Sequence, residues 1–183
     1  MEPISWYPDA LVSSGSTTSM SLYNKLHETA KSWVLSTSAV TPGTNEQDYA
    51  HVLSHLSPNA IIEWGHAHFL SSASHLQGSK TGQDFIDHLS KMTPMLETWT
   101  TEVADVSVDV EKKSAVVRAD FYMQAKGDPE AVRNEILFWV YMDEQGEKVV
   151  KSTEFIDPTA AGALKVKMMA SGRKDSKTDN AAE

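Results

Sequence analysis

One glutamate near the end of the chain lies in a setting that suggests acid–base chemistry. Glu154 belongs to the segment VVKSTEFI, which together with the preceding NEILFWVYM predicts two strands joined by a short polar turn. Because side chains alternate between the two faces of a strand, Glu154 shares a face with the apolar residues Val150 and Ile156. A carboxylate on a buried face is either paired with a partner or has a raised pKa that suits proton transfer. The sequence leaves both interpretations open.

A second acid, Glu63, lies in another short apolar stretch, IIEWG, which predicts a strand. If Ile62 and Trp64 face one way, Glu63 faces the other way together with Ile61. Glu63 is therefore either an alternative catalytic base in a pocket or an exposed acid on an edge strand.

Three histidines follow in a polar stretch, at positions 66, 68 and 75. Two histidines in an HxH pattern on a strand would share a face, and a third ligand could complete a zinc site. The segment SSASHLQGS around His75 is instead typical of a loop, and no nearby acid has the spacing of a further ligand. We therefore expect no metal. His66 and His68 are candidates for acid–base work in a pocket, with polar loop residues as the alternative.

Several other residues could line a binding pocket. Asp120 and Tyr122 share one face of the segment RADFYMQ, and this polar row either lines a pocket or faces solvent. The side-chain amide of Asn134 shares a face with Ile136 and could hydrogen-bond a substrate carbonyl. The aromatic residues expected in the core or in a pocket wall include Trp33, Trp64 and Phe138.

The composition excludes several classes of function. The chain has 183 residues, a formal net charge of −9 and no cysteine, which rules out disulfides and thiol catalysis. No cluster of lysine and arginine offers a phosphate-binding stripe, so nucleic-acid and anionic-membrane partners are not expected. No apolar run approaches the roughly 20 residues that span a bilayer, and the start MEPISWYPDA lacks the features of a secretory signal. We therefore expect a cytoplasmic protein with a small-molecule substrate.

The periodicity of apolar residues predicts helices first and then a meander of strands. An apolar stripe that includes Leu22, Leu26 and Trp33 predicts a helix from residue 19. A second, short helix is expected after an N-cap at Thr44, and a third between the N-cap Thr81 and about residue 96. Strands are predicted over residues 60–64, 98–110, 114–125, 131–142 and 149–156, with a turn at 57–59 and a last helix from 158 to about 170.

Helices segregated beside an antiparallel sheet define an α+β domain. We expect one domain over residues 19–170, a flexible segment over 1–18 and a disordered tail over 171–183. The strand 131–142 is apolar on both faces, with Leu137, Trp139 and Tyr141 on the face away from Phe138. A second apolar face needs a cover, so a homodimer through the sheet face is expected.

The order of these elements and the closing segment KVVKSTEFIDP resemble the α+β cone of nuclear transport factor 2 and its relatives. Within that group the chain is similar to the SnoaL-like polyketide cyclases and the fungal isomerase-cyclases of meroterpenoid pathways, over roughly residues 19–164. The resemblance implies a curved antiparallel sheet with helices packed on its concave face, which together form a conical pocket. It also places Glu154, in the segment Glu-Phe-Ile-Asp, at the position of the cyclases' catalytic aspartate, with a side chain one methylene longer.

The resemblance further implies an enzyme that needs no cofactor. This would be an isomerase, cyclase or dehydratase that uses acid–base chemistry on a bulky, apolar secondary metabolite such as a polyketide or a meroterpenoid. Glu154 or Glu63 would remove a proton while a histidine or tyrosine polarises the oxygen. The alternatives are a non-catalytic ligand-binding or dimerisation module of the same fold, and a metal-dependent hydrolase that uses His66 and His68. A closed pocket with two or more inward polar groups would favour the enzyme, whereas a cone filled by its own side chains beside an open apolar sheet face would favour the binding module.

Overall fold

The computed structural model describes residues 16–179, with side chains from residue 21 to residue 170. Over this range the helices are α1 (Ser16–Ser36), α2 (Tyr49–Ser54), α3 (Ala67–Ser71), α4 (Gly82–Met92) and α5 (Pro158–Asp179). The strands are β1 (Leu56–Trp64), β2 (Leu96–Asp109), β3 (Ser114–Ala125), β4 (Val132–Met142) and β5 (Val149–Ile156). Two short 3-10 helices, Ser74–Leu76 and Thr93–Met95, precede and follow α4.

The strands form one curved sheet in the order β1-β5-β4-β3-β2, with the helices on its concave face. Strands β2 to β5 pair antiparallel with their neighbours, as predicted, whereas β1 pairs parallel with β5. The sheet therefore differs from the predicted antiparallel arrangement at this one edge. A parallel pair needs a long connection, and here α3, α4 and three strands separate β1 from β5 in the chain.

Helix α1 fills the core beneath the sheet. The apolar stripe predicted from its spacing is buried, and Leu26, Ala30 and Trp33 have no exposed surface. The helix packs across β2, β3 and β4, and Trp33 meets Phe85 of α4 with 5.7 Å between ring centroids. Removal of this apolar surface from water is the main force that holds the helix against the sheet.

Helix α4 begins where the sequence predicts it, at a capping box. The hydroxyl of Thr81 accepts a hydrogen bond from the backbone N–H of Asp84, whose carboxylate in turn accepts from the backbone N–H of Thr81. The apolar residues that the spacing places inside are buried, namely Phe85, Ile86 and Leu89. The helix ends at Met92, before the predicted end, because the chain continues as a 3-10 helix that contains Pro94.

Helix α2 begins later than the sequence indicates. Its N-cap is Asp48, whose carboxylate accepts a hydrogen bond from the backbone N–H of His51, and the predicted cap at Thr44 is wrong. Thr44 instead closes a turn with its own hydroxyl group. The predicted turn at residues 57–59 is also wrong, because these residues lie inside β1, whose pairing with β5 is irregular there.

Both terminal helices are longer than predicted, since α1 begins at Ser16 and α5 runs to Asp179. The rest of the predicted flexible segment, residues 1–15, and the last four residues lie outside the described part of the chain. The domain limits at residues 19 and 170 therefore stay predictions. Among the described residues, no helix is both long and apolar enough to cross a membrane.

The outward face of the sheet carries the apolar side chains that alternation predicts. Leu137 and Trp139 of β4 are 42% and 43% exposed, and Tyr141 stacks on Trp139 with 5.8 Å between ring centroids. Val116 of β3, the register partner of Trp139, is also exposed. The homodimer expected to cover this face stays a prediction.

Candidate active site

The concave face of the sheet, α4 and α5 enclose a cavity of about 940 Å³. Its walls are mostly apolar, with Phe121 and Ile136 from the sheet, Phe85 and Leu89 from α4, and Leu164 and Met168 from α5. Trp64 and Phe138, both predicted as wall residues, also line it. Small-molecule sites commonly measure about 300–1,000 Å³, so this cavity has room for a bulky apolar ligand.

Glu154 lies on the wall of this cavity near the end of β5. The register of the sheet places it between two aromatic neighbours, Trp64 on β1 and Phe138 on β4. The residue is 6% exposed, and the indole N–H of Trp64 donates a hydrogen bond to its carboxyl group. The carboxyl oxygen Oε1 is buried without a hydrogen-bond partner among the described residues. One side of the carboxyl group is therefore left for a ligand.

Burial raises the pKa of Glu154 to about 8, from an ordinary value of 4.5, because the charged form loses its hydration. The hydrogen bond from Trp64 favours the charged form and offsets only part of this rise. At neutral pH the carboxyl group is therefore mostly protonated and can donate a proton. The expectation that Glu154 removes a proton stays a prediction, and a protonated carboxyl group is suited to the reverse step, donation of a proton.

His88 is a second titratable group on the cavity wall, and the sequence analysis did not single it out. Its ring packs edge-on against Trp64 with 5.2 Å between centroids and lies 6.3 Å from the ring of His75. Burial, reinforced by His75 and two lysines, lowers the pKa of His88 to about 4, so its imidazole is neutral at pH 7. Helical spacing was the available signal, because His88 follows Phe85 by three residues and precedes Met92 by four.

Two further polar side chains line the cavity. Asn134, predicted to bind substrate, is 3% exposed, and its Oδ1 accepts a hydrogen bond from the backbone N–H of Asp157 at 3.2 Å. The carboxylate of Asp157 caps α5 by accepting a hydrogen bond from the backbone N–H of Thr159. Trp99 of β2 was not identified from the sequence; its indole N–H is buried with no partner in the described part of the chain.

The structure places Glu63 on the outward face of β1, away from the cavity. Lys151 of β5 pairs with its carboxylate at 2.8 Å, and the hydroxyl of Ser79 donates to it at 2.7 Å. These two contacts, Lys151 first, lower the pKa of Glu63. Because Ile62 and Trp64 are buried, alternation turns Glu63 outward, and its predicted pocket position is wrong.

His66 and His68 also lie outside the cavity, and both are exposed. His66 has a φ of 60° at the N-terminus of α3, and its ring meets that of Phe155 edge-on at 5.3 Å. Helix α3 begins at Ala67, between the two histidines, so they lack the strand geometry that an HxH site uses. Among the described side chains, no group of three or more histidines and acids is placed to hold a metal ion.

Three residues predicted to bind substrate lie elsewhere in the structure. Asp120 and Tyr122 point to the outward face of β3, where Arg133 donates two hydrogen bonds to the Asp120 carboxylate at 2.9 and 2.8 Å. Trp33 is fully buried in the core and donates to the hydroxyl of Ser152 at 3.2 Å, without lining the cavity. The polar row of β3 therefore lies on the face of the sheet away from the cavity, where Asp120 is paired with Arg133 and only 8% exposed. Trp33 is a core residue, as one of the two sequence-based interpretations has it.

The α+β fold of this chain is also that of a protein assigned as a SnoaL-like polyketide cyclase and of a protein described as similar to nuclear transport factor 2. A particular protein of this fold is the BvnE pinacolase of Penicillium brevicompactum, which is 15% identical with a TM-score of 0.66, over 81% of this chain and 94% of that one. PrhC of Penicillium brasilianum is 16% identical with a TM-score of 0.66, over 82% of this chain and 92% of its own.

A Shewanella putrefaciens protein assigned as a SnoaL-like polyketide cyclase is 12% identical with a TM-score of 0.58, over 87% of this chain and 98% of that one. At these identities the likeness establishes the fold. No sequence profile of a protein family matches the chain, and no curated protein matches it in sequence.

Proposed function

We propose that this protein is a cofactor-free isomerase or cyclase, or a dehydratase of the same acid–base type, for a bulky and mostly apolar secondary metabolite. A polyketide or a meroterpenoid suits a cavity of this size and polarity. The observation that carries the proposal is the carboxyl group of Glu154, buried on the cavity wall with Oε1 unpartnered within the described chain. The shared fold of a pinacolase and of a protein assigned as a polyketide cyclase supports it.

In this mechanism Glu154 donates its proton to a carbonyl or hydroxyl oxygen of the substrate, and neutral His88 accepts a proton from the neighbouring carbon. Trp64 contacts both residues, which favours their action on one bound molecule. A ketone treated in this way becomes an enol. Where a carbon–carbon double bond adjoins the ketone, His88 can return its proton to the far carbon of the dienol while the enol oxygen returns its proton to Glu154, which completes an isomerisation. Attack by the enol carbon on a second carbonyl, again with the enol proton returning to Glu154, closes a ring instead.

Loss of a protonated hydroxyl group as water would give the dehydratase reaction from the same pair of residues. The apolar wall contributes by holding the substrate in a folded shape, since fixed orientation lowers the barrier of an intramolecular step. The free amide N–H groups of Asn134 are suited to hold a second substrate oxygen.

The alternative is a non-catalytic binding or dimerisation module, for which we expect a cone filled by its own side chains. The open volume of about 940 Å³, with Glu154, His88 and Asn134 on its wall, favours the enzyme instead. The metal-dependent hydrolase has no support from the geometry, because His66 and His68 lie outside the cavity.

Hydrogen exchange next to a ketone tests the step that these reactions share. The protein is incubated in D₂O with neutral bulky ketones such as 2-decalone, and deuterium uptake is followed by mass spectrometry. We expect faster uptake than in buffer. We also expect Glu154→Gln to lower kcat/KM by about a hundredfold or more, the usual contribution of a positioned acid.

The matched control is Glu63→Gln, which makes the same change in the same sheet at a carboxylate outside the cavity. We expect it to leave the exchange rate unchanged. If Glu154→Gln exchanges at the wild-type rate, with circular dichroism showing both variants folded, Glu154 is not the acid and the proposed chemistry is wrong.

A further inference from the structure

We propose that the cavity takes a ligand whose apolar body ends in a single anionic group of the carboxylate type, attracted to the cavity mouth by the combined positive charge of Lys80, Lys91 and Lys165. The inference rests on the proposed function, because this ligand would be the substrate of the same cavity. It names the class of substrate, an apolar organic acid, which acid–base chemistry alone does not specify.

The three lysines reach the cavity from different elements. Lys80 directly precedes the capping box of α4, Lys91 lies in the last turn of α4, and Lys165 belongs to α5. Among the side chains of residues 21–170, none of the three has a carboxylate within ion-pair distance. Five lysines elsewhere in the described part of the chain do have such partners, namely Lys25, Lys112, Lys113, Lys151 and Lys167, whereas Lys148 instead donates to the backbone carbonyl of Ser54.

Two aspartates at the mouth are engaged in holding α4. The carboxylate of Asp84 closes the capping box with Thr81, and Oδ1 of Asp87 accepts from the side-chain amide of Gln83 at 2.9 Å. Three lysines against two aspartates leave one net positive charge at the mouth, in a chain whose formal net charge is −9. A ligand with one negative charge would balance it.

The charges of two of these lysines, Lys91 and Lys80, act on a group inside the cavity. After burial and His75, the charges of Lys91 and Lys80 also lower the pKa of His88. Deeper in the cavity the walls are apolar, and Glu154 is itself mostly protonated, so an ionised ligand group would lose its hydration there without a counter-charge. The anionic end therefore stays at the mouth while the apolar body reaches Glu154.

A matched pair of fluorescent probes tests whether the cavity prefers an anionic ligand to a neutral one. 1-Anilinonaphthalene-8-sulfonate and N-phenyl-1-naphthylamine share one apolar body and differ by a single sulfonate group. The ratio of their Kd values therefore measures what the anionic group contributes to binding. We expect the variant Lys80→Gln/Lys91→Gln/Lys165→Gln to raise the Kd of the sulfonate probe by about tenfold at low ionic strength. The Kd of the neutral probe should rise by less than about twofold. The control, Lys25→Gln/Lys112→Gln/Lys151→Gln, removes as many charges outside the cavity and is expected to change neither Kd.

The proposal is wrong if the mouth variant keeps the wild-type ratio of the two Kd values, or if the control variant shifts that ratio as far. An equal rise in the Kd values of both probes would also contradict the proposal, because the lysines would then stabilise the cavity without selecting an anionic ligand. Each of these failures leaves the chemistry of Glu154 intact, since the deuterium-exchange assay uses a neutral ketone.

Discussion

The protonation state of Glu154 governs both the proposed chemistry and the stability of the fold. The apolar wall favours its protonated form, so the group can donate a proton at neutral pH. The same surroundings make its ionisation in the folded protein several kcal/mol less favourable than in the unfolded chain. Titration of this one residue should therefore be visible both in the reaction rate and in the free energy of unfolding.

The rate of ketone exchange should depend on pH through both residues of the proposed pair. Activity needs His88 neutral, which holds above its pKa of about 4, and Glu154 protonated, which holds below its pKa of about 8. We therefore expect a bell-shaped profile of kcat/KM with limbs near these values. A rate that rises through pH 8 would instead mean that ionised Glu154 acts as a base.

The free energy of unfolding should fall with pH because of Glu154. Between pH 4.5 and about 8 the unfolded chain releases this proton while the folded chain keeps it, so the stability from the protonated group is complete below 4.5 and lost as pH rises through 8. Relative to Glu154→Gln, the wild type should lose on the order of 4 kcal/mol between pH 5 and pH 9, measured by urea unfolding.

Glu63→Gln is the control for this comparison too, since the pKa of Glu63 is lowered and its carboxylate is ionised throughout that range. The difference in free energy between this variant and the wild type should stay constant. A difference between wild type and Glu154→Gln that does not change with pH would show that Glu154 ionises freely in the folded state.

At the residue scale, the sequence predicted some positions because period-two alternation determines which residues share a face. Glu154 and Asn134 were identified in this way, and both line the cavity. Alternation does not say which face is buried, and for that reason the sequence leaves Glu63 open between a pocket and an exposed edge. Helical spacing identifies the inward face of α4 from its apolar residues, so a histidine on that face, such as His88, carries no signal of its own.

At the element scale, local sequence signals predict the bounds of an element better than they predict which distant segments pair in the sheet. Strands β3 and β5 have the predicted bounds, since alternation and turn residues define them locally. The start of α2 was predicted wrongly at Thr44, because Asp48, four residues later, is a stronger N-cap and holds that position. The parallel pairing of β1 with β5 was not predictable, because no local signal joins segments so far apart in the chain.

The junction after β1 offers a test of local packing. Gly65 lies under the ring of Phe155, and a Cβ atom at this position would overlap the ring. We expect Gly65→Ala to displace the ring and to lower the free energy of unfolding by about 1–3 kcal/mol, measured by urea denaturation.

The matched change is Gly162→Ala in α5, where an added Cβ would have no atom within 4 Å. Because alanine favours a helix over glycine by roughly 1 kcal/mol, this variant should be as stable as the wild type or more so. Equal stability losses in the two variants would contradict the packing of Phe155 on Gly65.

At the scale of the whole molecule, the exposed apolar face of the sheet is the main surface without a described cover. A two-fold axis through this face would bring Leu137 and Trp139 against the same residues of a second copy, which is how self-complementary interfaces form. We expect the wild type to sediment with twice the monomer mass and Leu137→Asp/Trp139→Asp to sediment as a monomer.

Val166→Asp serves as the control for added charge, because Val166 is an exposed apolar residue on α5 and not on the sheet. This variant should keep the mass of the wild type. If the wild-type protein sediments as a monomer at micromolar concentration, the predicted homodimer is wrong.

The position of β5 between β1 and β4 also has a consequence for the order of folding. Strands β2 to β5 form a meander of neighbouring hairpins, whose contacts are local and therefore quick to form. Strand β1 leaves the ribosome before all of them, yet it can pair only after β5 has emerged. The hydrogen bond from Trp64 to the carboxyl group of Glu154 therefore forms only after the last strand is present. The burial of this acid is completed in one of the final steps of folding.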